Sequence, residues 1–139
     1  MAEYPHLLHT VLDTTAPREL ADFYRQLLGL RYRSGDEPPP DGSPEDADWL
    51  VLVDSAGARR LAFQQVERLP RTTWPQRDVP MQLHVDFTVS SLAELQRQRQ
   101  RATALGAEVL LDRTDDPGEP LYVFADPSGH PFCIFVSPA

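Results

Sequence analysis

Two titratable side chains stand two positions apart in the run Leu83-His84-Val85-Asp86-Phe87-Thr88-Val89. In a strand, residues two apart share a face. The imidazole of His84 and the carboxylate of Asp86 would therefore stand together with Thr88, opposite an apolar set of Leu83, Val85, Phe87 and Val89. The apolar set must pack on another element. The polar set cannot be plain core, because buried charge needs partners, so it is expected to line water or a ligand. An imidazole near its own pKa needs only one partner to act as general acid or base. His84 and Asp86 are accordingly the catalytic candidates, with Asp86 orienting the ring. The competing reading is a polar pair that only fixes strand register.

The same period places His9, Val11 and Asp13 on one face of the opening segment, which makes His9 and Asp13 candidate ligand contacts. Gln64 and Gln65 alternate at a strand end, so one of them, taken as Gln64, points to a ligand. Trp74, between Thr73 and Pro75, has little reason to be buried and is read as an aromatic wall; Trp49 starts a strand and is read as core. Cys133 is the single cysteine, which excludes an internal disulfide and a cysteine-rich zinc module. Flanked by Phe132, Ile134 and Phe135, it reads as an inert thiol unless a cation lowers its pKa. No phosphate-cradling glycine loop, no Ser/His/Asp arrangement in recognisable context and no basic patch is present.

The elements that must position these residues occur twice. A strand over 6–14 precedes a helix over 17–28, with Leu20, Phe23, Tyr24, Leu27 and Leu28 at helical spacing, Thr14 or Thr15 as its cap and Gly29 as its left-handed end. A strand over 30–34, an acidic proline-rich exposed loop over 35–48 and a hairpin over 49–54 and 60–66 complete the half. Residues 67–80, with three prolines, read as a linker. A strand over 82–89, a helix capped by Ser90 or Ser91 and running to Leu105, a strand over 108–113, and a hairpin over 121–125 and 132–136 then repeat the order. The expected modules are about 6–66 and 81–137 of one domain, 1–139.

The formal net charge of −8, with acids spread along the chain, opposes binding to nucleic acid or anionic lipid. The segment Met1 to His6 lacks the basic and apolar regions of a signal peptide, and no apolar run reaches the ~18 residues of a membrane helix. A cytoplasmic protein is expected. All 13 basic residues are Arg, Lys and Asn are absent and Ile134 is the only Ile, the codon bias of a GC-rich bacterial genome.

Four fragments, in order, resemble the vicinal oxygen chelate superfamily of glyoxalase, bleomycin-resistance and extradiol-dioxygenase-like proteins. They are His9-Thr10-Val11-Leu12-Asp13, then Phe23-Tyr24 with Leu27-Leu28-Gly29, then Leu83-His84-Val85-Asp86-Phe87, and Asp126-Pro127-Ser128-Gly129-His130-Pro131-Phe132-Cys133. The resemblance is to the glyoxalase-like subtype, in which a Trp-Pro in the linker recurs, placing Trp74 at a rim. It implies an α+β fold, two βαβββ modules forming a curved mixed-sheet cup with helices outside. A homodimer is expected separately, because open sheet edges and exposed module faces are often covered by a twofold partner. Metal-dependent members take ligands from the first and last strands of each module. His9 and His84 fall on the opening-strand positions, as ligands for zinc, iron, nickel or manganese, but the closing-strand positions, often Glu, fall on Ala62 and Cys133. No cofactor is therefore expected. Small-molecule binding at His9, Asp13, Gln64, Trp74 and Cys133, or metal-free catalysis, is the favoured expectation. A divalent-metal-dependent lyase, isomerase or dioxygenase acting on an oxygen-rich metabolite is the alternative.

Overall fold

The computed structural model describes residues 3–137. It has an α+β fold divided into two compact units, Met1–Leu69 and Pro70–Ala139, each with the element order βαβββ.

In the first unit, β1 (Thr10–Thr14) leads to α1 (Pro17–Leu28), β2 (Arg31–Tyr32), β3 (Trp49–Val53) and β4 (Arg59–Gln65). The strands lie in the order β1-β4-β3-β2, with β1 parallel to β4 and the other pairs antiparallel. The helix bounds match the sequence reading, and Gly29 ends it at φ 68°. Its cap differs. Ala16 holds the N-cap position without a side-chain bond, while the Thr14 hydroxyl accepts from the Ala16 N–H at 3.0 Å. Leu20, Phe23, Tyr24 and Leu27 are buried, each apolar side chain contributing about 1.5–3 kcal/mol by leaving water. The ring of Tyr24 stacks on Phe63 of β4 at 6.1 Å, which fixes Phe63 on the helix side of the sheet. Its neighbour Ala62 must then face away from the helix. There it packs with Val51 and Val53 in an apolar cluster against Trp49. The acidic loop over 35–48 is anchored: Asp36 accepts from the Val51 N–H, and Arg18 of α1 pairs with Glu45.

In the second unit, β5 (Val85–Val89) leads to α2 (Leu92–Ala104), β6 (Glu108–Arg113), β7 (Leu121–Ala125) and β8 (Pro131–Val136). The order β5-β8-β7-β6 repeats the first sheet, with β5 parallel to β8. Ser91 caps α2, accepting from the Glu94 N–H at 3.1 Å. The rings of Phe87, Phe124 and Phe132 stack or tilt together, and Tyr122 donates its hydroxyl to Gln96 of α2. The helix side is thus Val85, Phe87, Tyr122, Phe124, Phe132 and Ile134. The strand expected from Gln82 begins only at Val85, so Leu83 leaves the apolar row and is 55% exposed.

Residues 70–80 are more ordered than a linker. The Thr73 N–H donates to the Val79 carbonyl at 2.9 Å, the Val79 N–H to the Thr73 hydroxyl at 2.9 Å, and the Gln76 N–H to the Thr73 carbonyl at 2.8 Å. The Trp74–Pro75 peptide is cis.

Candidate functional site

The parallel pairing of β5 with β8 sets Asp86 opposite Cys133, so both project from the side away from α2. His84 stands just before β5 and reaches Asp86, its Nε2 lying 3.2 Å from Oδ1. Donor atoms of His84, Asp86 and Cys133 all fall within 4.8 Å of one another. Both His84 and Asp86 are open to solvent, their side chains 38% and 51% exposed. The exposed pair is worth little to stability.

The thiol is the half-buried member. Burial, then the negative charge of Asp86 and the hydrogen bond to it, push Cys133 up from 9.0 to about 11. Near neutral pH it is a protonated thiol, and the thiolate is the nucleophile. Cys133 is therefore not a standing nucleophile here. Asp86 lies 3.2 Å from the imidazole Nε2 and faces Cys133 across the strand pair, an arrangement that can hold and pass a proton.

The first unit builds a different patch. His9, half-buried ahead of β1, sets its ring 6.0 Å from Trp49, tilted by 53°. Its Nδ1 is buried and has no hydrogen-bond partner among the described residues. Burial, then the charges of Arg59 and Arg33, lower the pKa of the ring, so it is neutral at pH 7 with one nitrogen unsatisfied. Leaving such an atom unpaired costs about 1–3 kcal/mol. The register pairs Gln64 with both Asp13 and Trp49, which places these three side chains on the same side of the first sheet as Ala62. Trp49, read from the sequence as core, packs on the cluster of Val51, Val53 and Ala62 and is also a neighbour of His9, a contact that depends on strand register.

Trp74 lies in the hydrogen-bonded loop of the second unit, half-buried, its backbone N–H donated to the Thr72 hydroxyl at 3.1 Å. His130 belongs to the turn between β7 and β8, where Asp126 accepts its N–H. Two concavities of about 600 and 740 Å³ flank Tyr32 in the first unit. They lie near α1 and the acidic loop; Gln65 lines the larger one, whereas Gln64, His9, Asp13, Trp74, His84, Asp86 and Cys133 line neither. Arg18 and Arg25 stack over the Tyr32 ring at 4.8 and 5.8 Å and are tied to Glu45 and Asp22, so this is a charged clasp holding the loop.

An ion of the kind held by acids on closing strands does not fit these residues. Ala62 offers no donor and is completely buried, and Cys133 offers sulfur in place of a carboxylate.

The family model of the glyoxalase-like domain matches residues 9–135. No curated protein sequence is significantly similar. A glyoxalase/bleomycin resistance protein/dioxygenase family enzyme from Burkholderia phytofirmans PsJN is 15% identical, with a TM-score of 0.66, covering 93% of this chain and 96% of its own. The fosfomycin resistance protein FosX from Listeria monocytogenes is 17% identical, with a TM-score of 0.67, covering 97% and 95%. The same Listeria protein has been solved with Mn(II) and sulfate; that structure is 15% identical, with a TM-score of 0.63, covering 97% and 94%.

Proposed function

This chain belongs to the glyoxalase-like domain family, and from that membership we propose that it binds a small organic molecule on the faces of its sheets turned away from the helices. The observation that carries the reading is the buried, unpartnered Nδ1 of His9 beside the ring of Trp49. A ligand that hydrogen-bonds the nitrogen and packs on the indole satisfies both. An aromatic contact adds about 0.5–1.5 kcal/mol beyond area burial. Asp13 and Gln64 supply further polar contacts in that unit. The second unit carries its own polar face, where His84 and Asp86 move a proton if the ligand is a substrate, with Cys133 beside them and Trp74 as an aromatic contact. No acid stands on the closing strands, so the reading includes no ion.

The test is a binding screen of planar cationic compounds and of small 2-oxo and 2-hydroxy acids, followed by tryptophan fluorescence with chelator present. A true ligand changes the fluorescence, and His9→Ala weakens it at least about tenfold, in line with the loss of a hydrogen bond to a buried group. Wild-type affinity in His9→Ala, His84→Ala and Trp74→Ala together overturns the reading.

The reading extends to a homodimer. Tyr4, Leu7 and Leu8 are exposed ahead of β1, an edge strand of its sheet, and such edges are commonly covered. A monomer mass independent of concentration in light scattering, into the micromolar range, excludes it.

A further inference from the structure

We propose that the ligand of the first unit is a planar organic anion, its carboxylate held by Arg59 and its ring set against Trp49. The inference rests on the reading of His9 and Trp49 as ligand contacts, and it adds the sign of the ligand's charge and the residue that selects it. Strand register supplies the argument. Val51, Val53 and Ala62 mark the face of the first sheet turned away from α1. Past an irregularity in the ladder of β3 and β4, Val53 pairs with Arg59, and paired residues share a face. Arg31 is the partner of Val53 on its other side. Arg33, two residues on, shares the face of Arg31 and donates its backbone N–H to the Val51 carbonyl at 2.9 Å. The charges of Arg59 and Arg33 both act on the His9 ring.

These guanidinium groups are not equally engaged. Arg33 is paired with Asp36 at 3.1 Å, and the neighbouring Arg60 is paired with Asp54 at 2.9 Å. Arg31 donates to the carbonyls of Asp54 and Ser55. Arg59 is half-buried and has no acceptor among the described residues. Asp13 shares the face, but it stands four residues from His9, about 13 Å of extended chain. That exceeds the Debye length of about 8 Å at physiological salt, which also screens the acids spread over the rest of the chain. A half-buried cation without an acceptor and a buried nitrogen without a partner thus occur on one face, beside an indole. A cationic ligand would meet like charge there, and a neutral one would leave the guanidinium without a counter-charge. A carboxylate matches the guanidinium fork with charge-assisted hydrogen bonds. A hydroxyl on the ring, donor and acceptor at once, meets the His9 Nδ1 in either tautomer.

Calorimetry with chelator present tests this on benzoate, 4-hydroxybenzoate and 6-hydroxy-2-naphthoate, the amide of each, and benzamidinium. At least one acid is expected to bind at least about tenfold more tightly than its amide, in line with a hydrogen bond to a charged group. Arg59→Gln should remove that preference by weakening the acid and not the amide. Arg59→Lys keeps the charge without the fork and should retain part of the preference, which separates loss of charge from loss of fold. His9→Ala should weaken acid and amide alike. Tighter binding of the amide or of benzamidinium overturns the proposal, as does an acid-over-amide ratio unchanged in Arg59→Gln. Either result leaves His9 and Trp49 standing as ligand contacts if His9→Ala still weakens the tighter compound. No binding by any of the acids also overturns the proposal. Wild-type affinity in His9→Ala overturns the first-unit reading and the proposal with it.

Discussion

Asp86 faces Cys133 across the parallel pair of β5 and β8, and the same position in the first unit pairs Val11 with Ala62. Two units with one strand order therefore present opposite chemistry at equivalent points. In one, a carboxylate and a thiol face each other; in the other, two aliphatic side chains meet. The Cys133 thiol is held protonated by its burial and by that carboxylate.

The thiol should alkylate slowly. With its pKa at about 11 against an ordinary 9.0, its thiolate fraction near pH 7.5 is roughly a hundredfold below that of a free cysteine. Iodoacetamide labelling of the native chain in chelator is expected to be slower by about that factor. Asp86→Asn, which removes the anion but not the burial, should speed it partway. The raised value also ties stability to alkaline pH. The contribution is complete below pH 9, where the unfolded thiol titrates, and is lost as pH rises through about 11. Urea midpoints across that window should fall less steeply in Cys133→Ala.

His9 should titrate below the ordinary 6.5. Its depressed value means that its contribution to stability is present above 6.5 and is lost as pH falls through the folded-state value. Proton NMR of the imidazole checks the midpoint. Replacing Arg59 with Gln removes one of the charges that lower it, so the midpoint should rise. Finding His9 at or above 6.5 in the wild type contradicts the buried, neutral ring described for it.

The two helices should respond differently to loss of an N-terminal hydroxyl. Ser91→Ala removes the oxygen that accepts the Glu94 N–H and should cost about 1 kcal/mol, within the usual 0.5–2 for such caps. The first helix has no side-chain cap to lose, so Ala16→Ser should be neutral or stabilising. Denaturant unfolding of the two variants measures both.

Asp126 is a buried polar residue of the second unit. It is 1% exposed and accepts from the N–H groups of Ser128 and His130 at 2.9 and 3.0 Å. Asp126→Ala leaves these donors without their acceptor and should cost about 2 kcal/mol. Asp126→Asn retains an acceptor oxygen and should recover part of the loss in thermal unfolding.

Much of this was legible in the sequence, for reasons that can be given residue by residue. The first helix announced itself because apolar spacing, Pro17 and Gly29 all mark the same segment. The outward set of His84 and Asp86 followed from period two alone. What alternation does not carry is the length of the partner strand. Residues 82–84 continue the pattern, yet pairing starts at Val85 opposite Phe132. Beyond it stands Pro131, which has no N–H to offer. The segment over 6–9 likewise lies outside β1, because β4 runs out into the turn after Asp54. The contact of Trp49 with His9 is likewise not carried by alternation, because it depends on a register between distant strands. The internal bonds of residues 70–80 were hidden for a similar reason, since prolines mark a turn-rich segment but not the Thr73–Val79 bonds that close it.

The packing around Ala62 also bears on what this chain can become by mutation. Ala62 is fully enclosed with Val51 and Val53, so a glutamate introduced there would bring a carboxylate into a space filled by hydrocarbon, where an unpaired charge is strongly disfavoured. Recovering a donor in the first unit therefore requires several compensating changes to neighbouring side chains at once. At the second unit's equivalent point, the half-exposed Cys133 beside solvent-open His84 and Asp86 tolerates exchange one residue at a time. Evolutionary tinkering with the chemistry of this protein is channelled into one of its two repeats, while the other is locked by its own interior.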